Sequence, residues 1–355
     1  MTTRKEFLRQ AIALAGLSFT GMSFSFLKED ENEIFPAFDL HAHPGNFFMK
    51  GMETFPGEEG VSKTVRDMQM GNVSGVFLSM VMDRPLLKRT ETGIVPTGMF
   101  GKGDGWKEYK RQLATLSNLF SINSLSLAKN PKDLTQAIAK GQTAGFLSCE
   151  GGDFLEAADQ LDEVYTDGVR SIQLVHYAPN PLGDLQTHEA IHHGLSPLGK
   201  EVVRKMNALG MVIDVAHASF ETVQDVVSLT QSPIILSHSI LKMEADRPIA
   251  ARAISPEHAK LIAQTGGVIG AWPSGFNQSF EEYVENILRL VDVVGIDYVG
   301  IGTDMDSNFK PVLDTYQQIP TLATALIERG LSSLEVKKIL LDNTARVLKD
   351  VLKDG

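Results

Sequence analysis

The chain has 355 residues, 43% of them hydrophobic, enough to bury a large core as one barrel or as two smaller domains. Its 33 basic residues stand against 44 acidic ones, a formal charge of −11 that disfavours nucleic acid and anionic membranes and leaves a small-molecule substrate as the expected partner. The single cysteine, Cys149, excludes an intramolecular disulfide and a multi-cysteine zinc site, so a metal here would be held by imidazole and carboxylate.

Residues 1–27 differ from the rest. Arg4, Lys5 and Arg9 precede an uncharged run over 11–27, which breaks into a mainly acidic stretch at 28–33. This is the layout of an export signal, and Thr3-Arg4-Lys5-Glu6-Phe7-Leu8 is similar to a twin-arginine signal with one arginine replaced by lysine. The expected destination is the periplasm or cell envelope. An amphipathic helix or an uncleaved anchor is the alternative, and without a signal the protein would be cytoplasmic.

Over 35–352, short apolar runs alternate with stretches of helical periodicity, the pattern of βα units in one domain around a parallel sheet. Eight runs occur, at 35–40, 73–81, 144–149, 170–175, 211–216, 233–237, 267–272 and 298–302. Eight is the number that a closed (β/α)8 TIM barrel needs. The stretches 197–209, 256–265, 280–294 and 332–352 predict helices, with Ser196 and Ser255 as N-caps before prolines. Segment 82–130 is less regular and predicts a long loop plus a helix.

Functional groups in such a barrel project from the C-terminal ends of strands. The first run ends in Asp39-Leu40-His41-Ala42-His43, and i, i+2 spacing on extended backbone points both imidazoles to one side. His-x-His alone also fits a solvated turn; the strand-end position favours a metal. After the third run, Glu150 precedes Gly151-Gly152, and its carboxylate suits either a pair of metals or an ion pair with arginine. The fifth and sixth runs deliver His217 and His238 at one level. Asp304, after the eighth, could move a proton from a metal-bound water to a leaving amine, or cap a helix. His176, after the fourth, could polarise a carbonyl. His188, His192, His193 and His258 read as surface or rim residues, and Cys149 as packing.

These residues together resemble the membrane (renal) dipeptidase family of binuclear zinc peptidases, within the amidohydrolase-like superfamily, from about 35 to 352. The segments that carry the resemblance are Glu150-Gly151-Gly152, Gly168-Val169-Arg170 with Leu174-Val175-His176, Gly194 to Val203, Asp214 to His217, Ser237-His238-Ser239, Arg252 to Glu257, Thr265 to Gly270 and Val299 to Asp304. The resemblance implies a first zinc on His41, His43 and Glu150, and a second on Glu150, His217 and His238, with other divalent metals possible. It also implies Asp304 as acid and base, His176 on the scissile carbonyl, Arg252 on the substrate carboxylate, and a homodimer. The implied function is hydrolysis of dipeptides through a metal-bridging hydroxide. An amidohydrolase of N-acyl amino acids or lactams is the alternative, with a non-catalytic exported binding protein as a third. Two departures stand out: His43 occupies a position where the family has aspartate, and Leu341-Asp342-Asn343 replaces a glycine-rich turn.

Overall fold

The computed structural model describes residues 34–353 apart from 91–92, 123, 244–246 and 248; the segment expected to direct export lies outside the described residues. Eight parallel strands close on themselves: β1 Ala37–Ala42, β2 Val73–Val81, β3 Thr143–Glu150, β4 Val169–Gln173, β5 Val212–Asp214, β6 Ile235–Ser239, β7 Val268–Ala271 and β8 Val299–Ile301. Pairing runs β2–β1–β8–β7–β6–β5–β4–β3, and β3 returns to β2 in a register that sets Glu150 beside Val81. Each apolar run of the sequence is one barrel strand, and the fold is a (β/α)8 TIM barrel.

The strands read as apolar runs because both faces are covered: every residue of β2 and β3 is buried. In the lower barrel Phe38, Leu40, Phe77, Phe146, Val212, Ile235 and Val268 form one cluster with residues of the helices Pro131–Ala139 and Asn343–Val351. The rings of Phe38, Phe77 and Phe146 lie 5.5 to 5.8 Å apart between centroids. Burial of each contributes roughly 1.5–3 kcal/mol. With that end filled by apolar side chains, the polar groups are left at the opposite mouth.

Two glycines let the strands converge there. A Cβ at Gly270 of β7 would lie 1.8 Å from the Ser237 carbonyl oxygen, and one at Gly302, just past β8, would lie 1.7 Å from it.

The helices Pro197–Leu209, Pro256–Gln264 and Phe280–Val294 follow the expected stretches. Ser196 accepts from the Gly199 N–H and Ser255 from the His258 N–H, as N-caps do. Segment 82–130 carries more than a loop and the helix Asp104–Ser117. It adds an antiparallel hairpin of Leu87–Thr90 with Gly93–Pro96, and a strand Leu125–Ala128 beside the first half of β3. The helix expected over 332–352 is broken into Ser333–Lys337, a π turn over Lys338–Asp342, and Asn343–Val351. The wider turn leaves Asn343 buried, with Nδ2 donating to the Ile296 and Val299 carbonyls at 2.8 Å each.

Candidate active site

The polar residues nominated from the sequence leave six strand ends and meet in one buried cluster. His41 lies near the end of β1 with His43 just past it, Glu150 closes β3, and His238 lies on β6. His176, His217 and Asp304 follow β4, β5 and β8. Arg252 comes from a short turn, Ala250–Arg252, in the loop after β6. All eight side chains are buried. His217 and Asp304 hold left-handed backbone, at φ +65° and +54°. Non-glycine residues rarely adopt it, and it costs on the order of 1–3 kcal/mol where the surroundings enforce it.

Four imidazoles face one another in pairs. The Nε2 atoms of His41 and His43 lie 3.0 Å apart, and those of His217 and His238 lie 3.1 Å apart. Glu150 sits between the pairs: Oε1 is 3.3 Å from His41 Nε2, 3.7 Å from His217 Nε2 and 3.9 Å from His238 Nε2, while Oε2 is 3.4 Å from His43 Nε2. Asp304 Oδ1 lies 3.3 Å from His43 Nε2. His43 Nδ1 is 2.7 Å from the Ser79 carbonyl oxygen. A carbonyl only accepts, so Nδ1 carries the proton and a neutral His43 presents the Nε2 lone pair to the cluster. Two lone pairs at 3.0 Å repel each other unless a proton or a cation lies between them. Nitrogen and carboxylate donors at this spacing suit zinc or a similar divalent ion. Among the described residues, three overlapping triads have ligand atoms close enough for one ion: His41–Glu150–His238, His41–His43–Asp304 and Glu150–His176–His217.

The electrostatics of Glu150, His217 and His238 match that chemistry, while His41, lowered by burial, is raised overall above the ordinary histidine value by the charge of Glu150. Burial pushes the Glu150 carboxyl up, but His176, His41 and His43 outweigh it and hold Glu150 well below the usual carboxylate range. Burial, aided by Arg252 and neighbouring imidazoles, holds His217 and His238 well below the ordinary histidine value, in the neutral form that ligates. For His176 burial acts downward, yet Asp83 and Glu150 prevail and bring it up to about 9.

Strands β2 and β7 also supply residues here, and neither was nominated. Past β2, Asp83 Oδ1 lies 2.7 Å from His176 Nδ1, turning His176 Nε2 toward Glu150 Oε1 at 3.3 Å. Past β7, the Trp272 ring lies 5.4 Å from the His238 ring and 5.5 Å from the Arg252 guanidinium carbon. Arg252 Nη1 donates to Gln186 Oε1, and the Tyr177 phenol stands beside the guanidinium. A second layer fixes the strand ends. Asp39 accepts from the His41 and Thr303 N–H groups and from the Tyr316 hydroxyl, and Asp214 accepts from the Ala216 and Ser237 N–H groups.

Of the four histidines read as surface or rim, His188 and His193 are exposed and His192 is half-buried, its Nε2 3.1 Å from the Asn180 carbonyl oxygen. His258 departs from that reading: it is buried against the Phe220 ring because its helix turns this face inward. Cys149 is fully buried in the core.

A model of the family described as membrane dipeptidase, peptidase family M19, matches residues 33–353. The dipeptidase tcpJ of Claviceps purpurea is 29% identical over 255 residues, covering 68% of this chain and 59% of that protein. The dipeptidase verJ of Clonostachys rogersoniana is 25% identical over 301 residues, covering 80% of this chain and 74% of its own. Among solved structures, a metallopeptidase from Rhodobacter sphaeroides bound to a phosphinate mimic of the dipeptide L-Ala-D-Ala superposes with a TM-score of 0.73 at 20% identity, over 90% of this chain and 100% of that one.

Proposed function

The chain belongs to the membrane dipeptidase family, peptidase family M19, and from that membership we propose that it is a metal-dependent dipeptidase using two zinc ions. The carrying observation is the pair of Nε2–Nε2 approaches, 3.0 and 3.1 Å, on either side of one carboxylate. His41, His43 and Glu150 would hold one ion and Glu150, His217 and His238 the other, with Glu150 as the bridge. His43 supplies a neutral imidazole where a carboxylate is usual, which leaves the site one negative charge poorer. When bound, such a pair supplies a hydroxide near neutral pH and polarises the scissile carbonyl.

The remaining steps belong to side chains. Asp304, 8% exposed and the least buried of the eight, takes the proton of the attacking water and returns it to the leaving amine. His176, oriented by Asp83, donates from Nε2 to the carbonyl oxygen as negative charge grows there. Arg252 holds the free carboxylate, which places the scissile bond over the cluster.

The test is hydrolysis of a panel of L,L and L,D dipeptides, N-acyl amino acids and lactams by purified protein, before and after chelation and with zinc restored. Dipeptide turnover lost on chelation and regained with zinc supports the proposal; turnover that survives complete metal removal sinks it. We also propose that residues 1–27 direct export, which N-terminal sequencing of the protein recovered from the periplasm decides.

A further inference from the structure

Trp272 is 4% exposed and sits in a small apolar cluster with Ile240 and Phe276, against which Met243, Ile249 and Ala253 pack. Its Nε1–H finds no acceptor among the described residues, and Nε and Nη2 of Arg252, which is itself 2% exposed, have only the neighbouring Tyr177 phenol beside them. These N–H groups occur on adjacent side chains, with the guanidinium carbon 5.5 Å from the indole ring centroid. An unmatched buried donor costs on the order of 1–3 kcal/mol, and packed interiors rarely tolerate one. Such donors on neighbouring side chains beside a metal-ligand cluster suit an acceptor that arrives with a ligand. An indole nitrogen donates and never accepts, so the matching group is rich in lone pairs.

We propose that Trp272 is a substrate-binding residue that donates its indole N–H to the same carboxylate that Arg252 holds. The C-terminal carboxylate of the dipeptide is then read by two side chains from different strand ends. The side chain of the second residue lies against the Ile240 and Phe276 wall. A C-terminal amide offers one neutral acceptor oxygen in place of a charged carboxylate, so it gains less from these donors and is hydrolysed with a higher KM than the acid. The inference rests on the dipeptidase reading for the identity of the ligand.

Trp272→Phe keeps the ring and removes the N–H. In the zinc-loaded enzyme the KM for an apolar dipeptide should rise on the order of 10- to 100-fold, as expected for a lost hydrogen bond to a charged group, with a much smaller change in kcat. The KM for the matching dipeptide amide, higher from the start, should rise much less on this substitution. Equal losses on acid and amide, or a fall in zinc content, would assign Trp272 a structural role and overturn the proposal. The chain has only two tryptophans, so in a Trp106→Phe background the emission reports Trp272 alone. Titration of that zinc-loaded protein with an N-acetyl amino acid should give a saturable change, and a flat response overturns the proposal. Should the wild-type enzyme hydrolyse no dipeptide, the proposed function fails while this titration still decides whether Trp272 faces a carboxylate.

Discussion

A single carboxylate, that of Asp83, fixes both the ring of His176 and the backbone beyond it. Oδ1 lies 2.7 Å from His176 Nδ1, while Oδ2 accepts the N–H groups of Tyr177 and Ala178 at 3.0 and 2.9 Å. The histidine proposed to face the substrate therefore has neither rotational nor backbone freedom.

Asp83→Asn keeps the shape and can donate where the carboxylate accepted. Activity on a dipeptide should drop about 10- to 100-fold, the usual cost of losing such an orienting partner. Burial lowers the His176 pKa and Asp83 raises it, so removing that charge should also move the alkaline limb of the pH–rate profile to lower pH. An unchanged profile would remove Asp83 from the working site.

Asp304→Asn should lower kcat by about 100- to 10,000-fold, the range for a lost general acid–base group. Zinc measured by elemental analysis should stay close to wild type, because the cluster keeps its four imidazoles and Glu150. Parallel loss of zinc and activity would mark Asp304 as a ligand, a role that its 3.3 Å approach to His43 also permits.

His258 carries a pH signature away from the metals. Burial, reinforced by Arg252, lowers its pKa from 6.5 to about 4. Between those values the unfolded chain binds a proton that the folded chain does not, so stability rises with pH across this window and is lost on acidification through it, by up to about 3 kcal/mol. Urea melts at pH 7 and pH 4.5 should show a smaller acid loss for His258→Gln than for wild type. Identical acid losses would mean that His258 titrates freely.

Gly302→Ala tests the convergence of β6, β7 and β8. The added methyl meets the Ser237 carbonyl oxygen at 1.7 Å, and backbone on both sides leaves little room to yield. A loss of about 3 kcal/mol or more in urea denaturation is expected, at the upper end for overpacking. Wild-type stability would show that the strands can part there.

The barrel was legible because parallel strands covered on both faces leave continuous apolar runs, and six strand ends were legible because a histidine or acid stood at or within two residues of the end of the run. Asp83 was missed for a local reason: Arg84-Pro85 follows it at once, so it resembles an ordinary turn acid. Trp272 was missed because it reads as the last apolar residue of its strand, and nothing in its type reveals an unmatched N–H. The π turn before Asn343 adds one residue to a helical register, which periodicity does not register. His258 shows the opposite failure, since a polar helix start concealed which face would turn inward.

β1 is hydrogen-bonded to β8, pairing Asp39 with Ile301, and closes the circle between the first and last strands. His41 and His43 leave the ribosome long before Asp304, and the strand that seats them, β8, is made more than 250 residues after them. A nascent chain halted before β8 carries every proposed ligand but lacks the neighbour that locks the first two in place. With the proposed metal set, metal uptake would report a finished barrel, because a partly made chain holds no completed site.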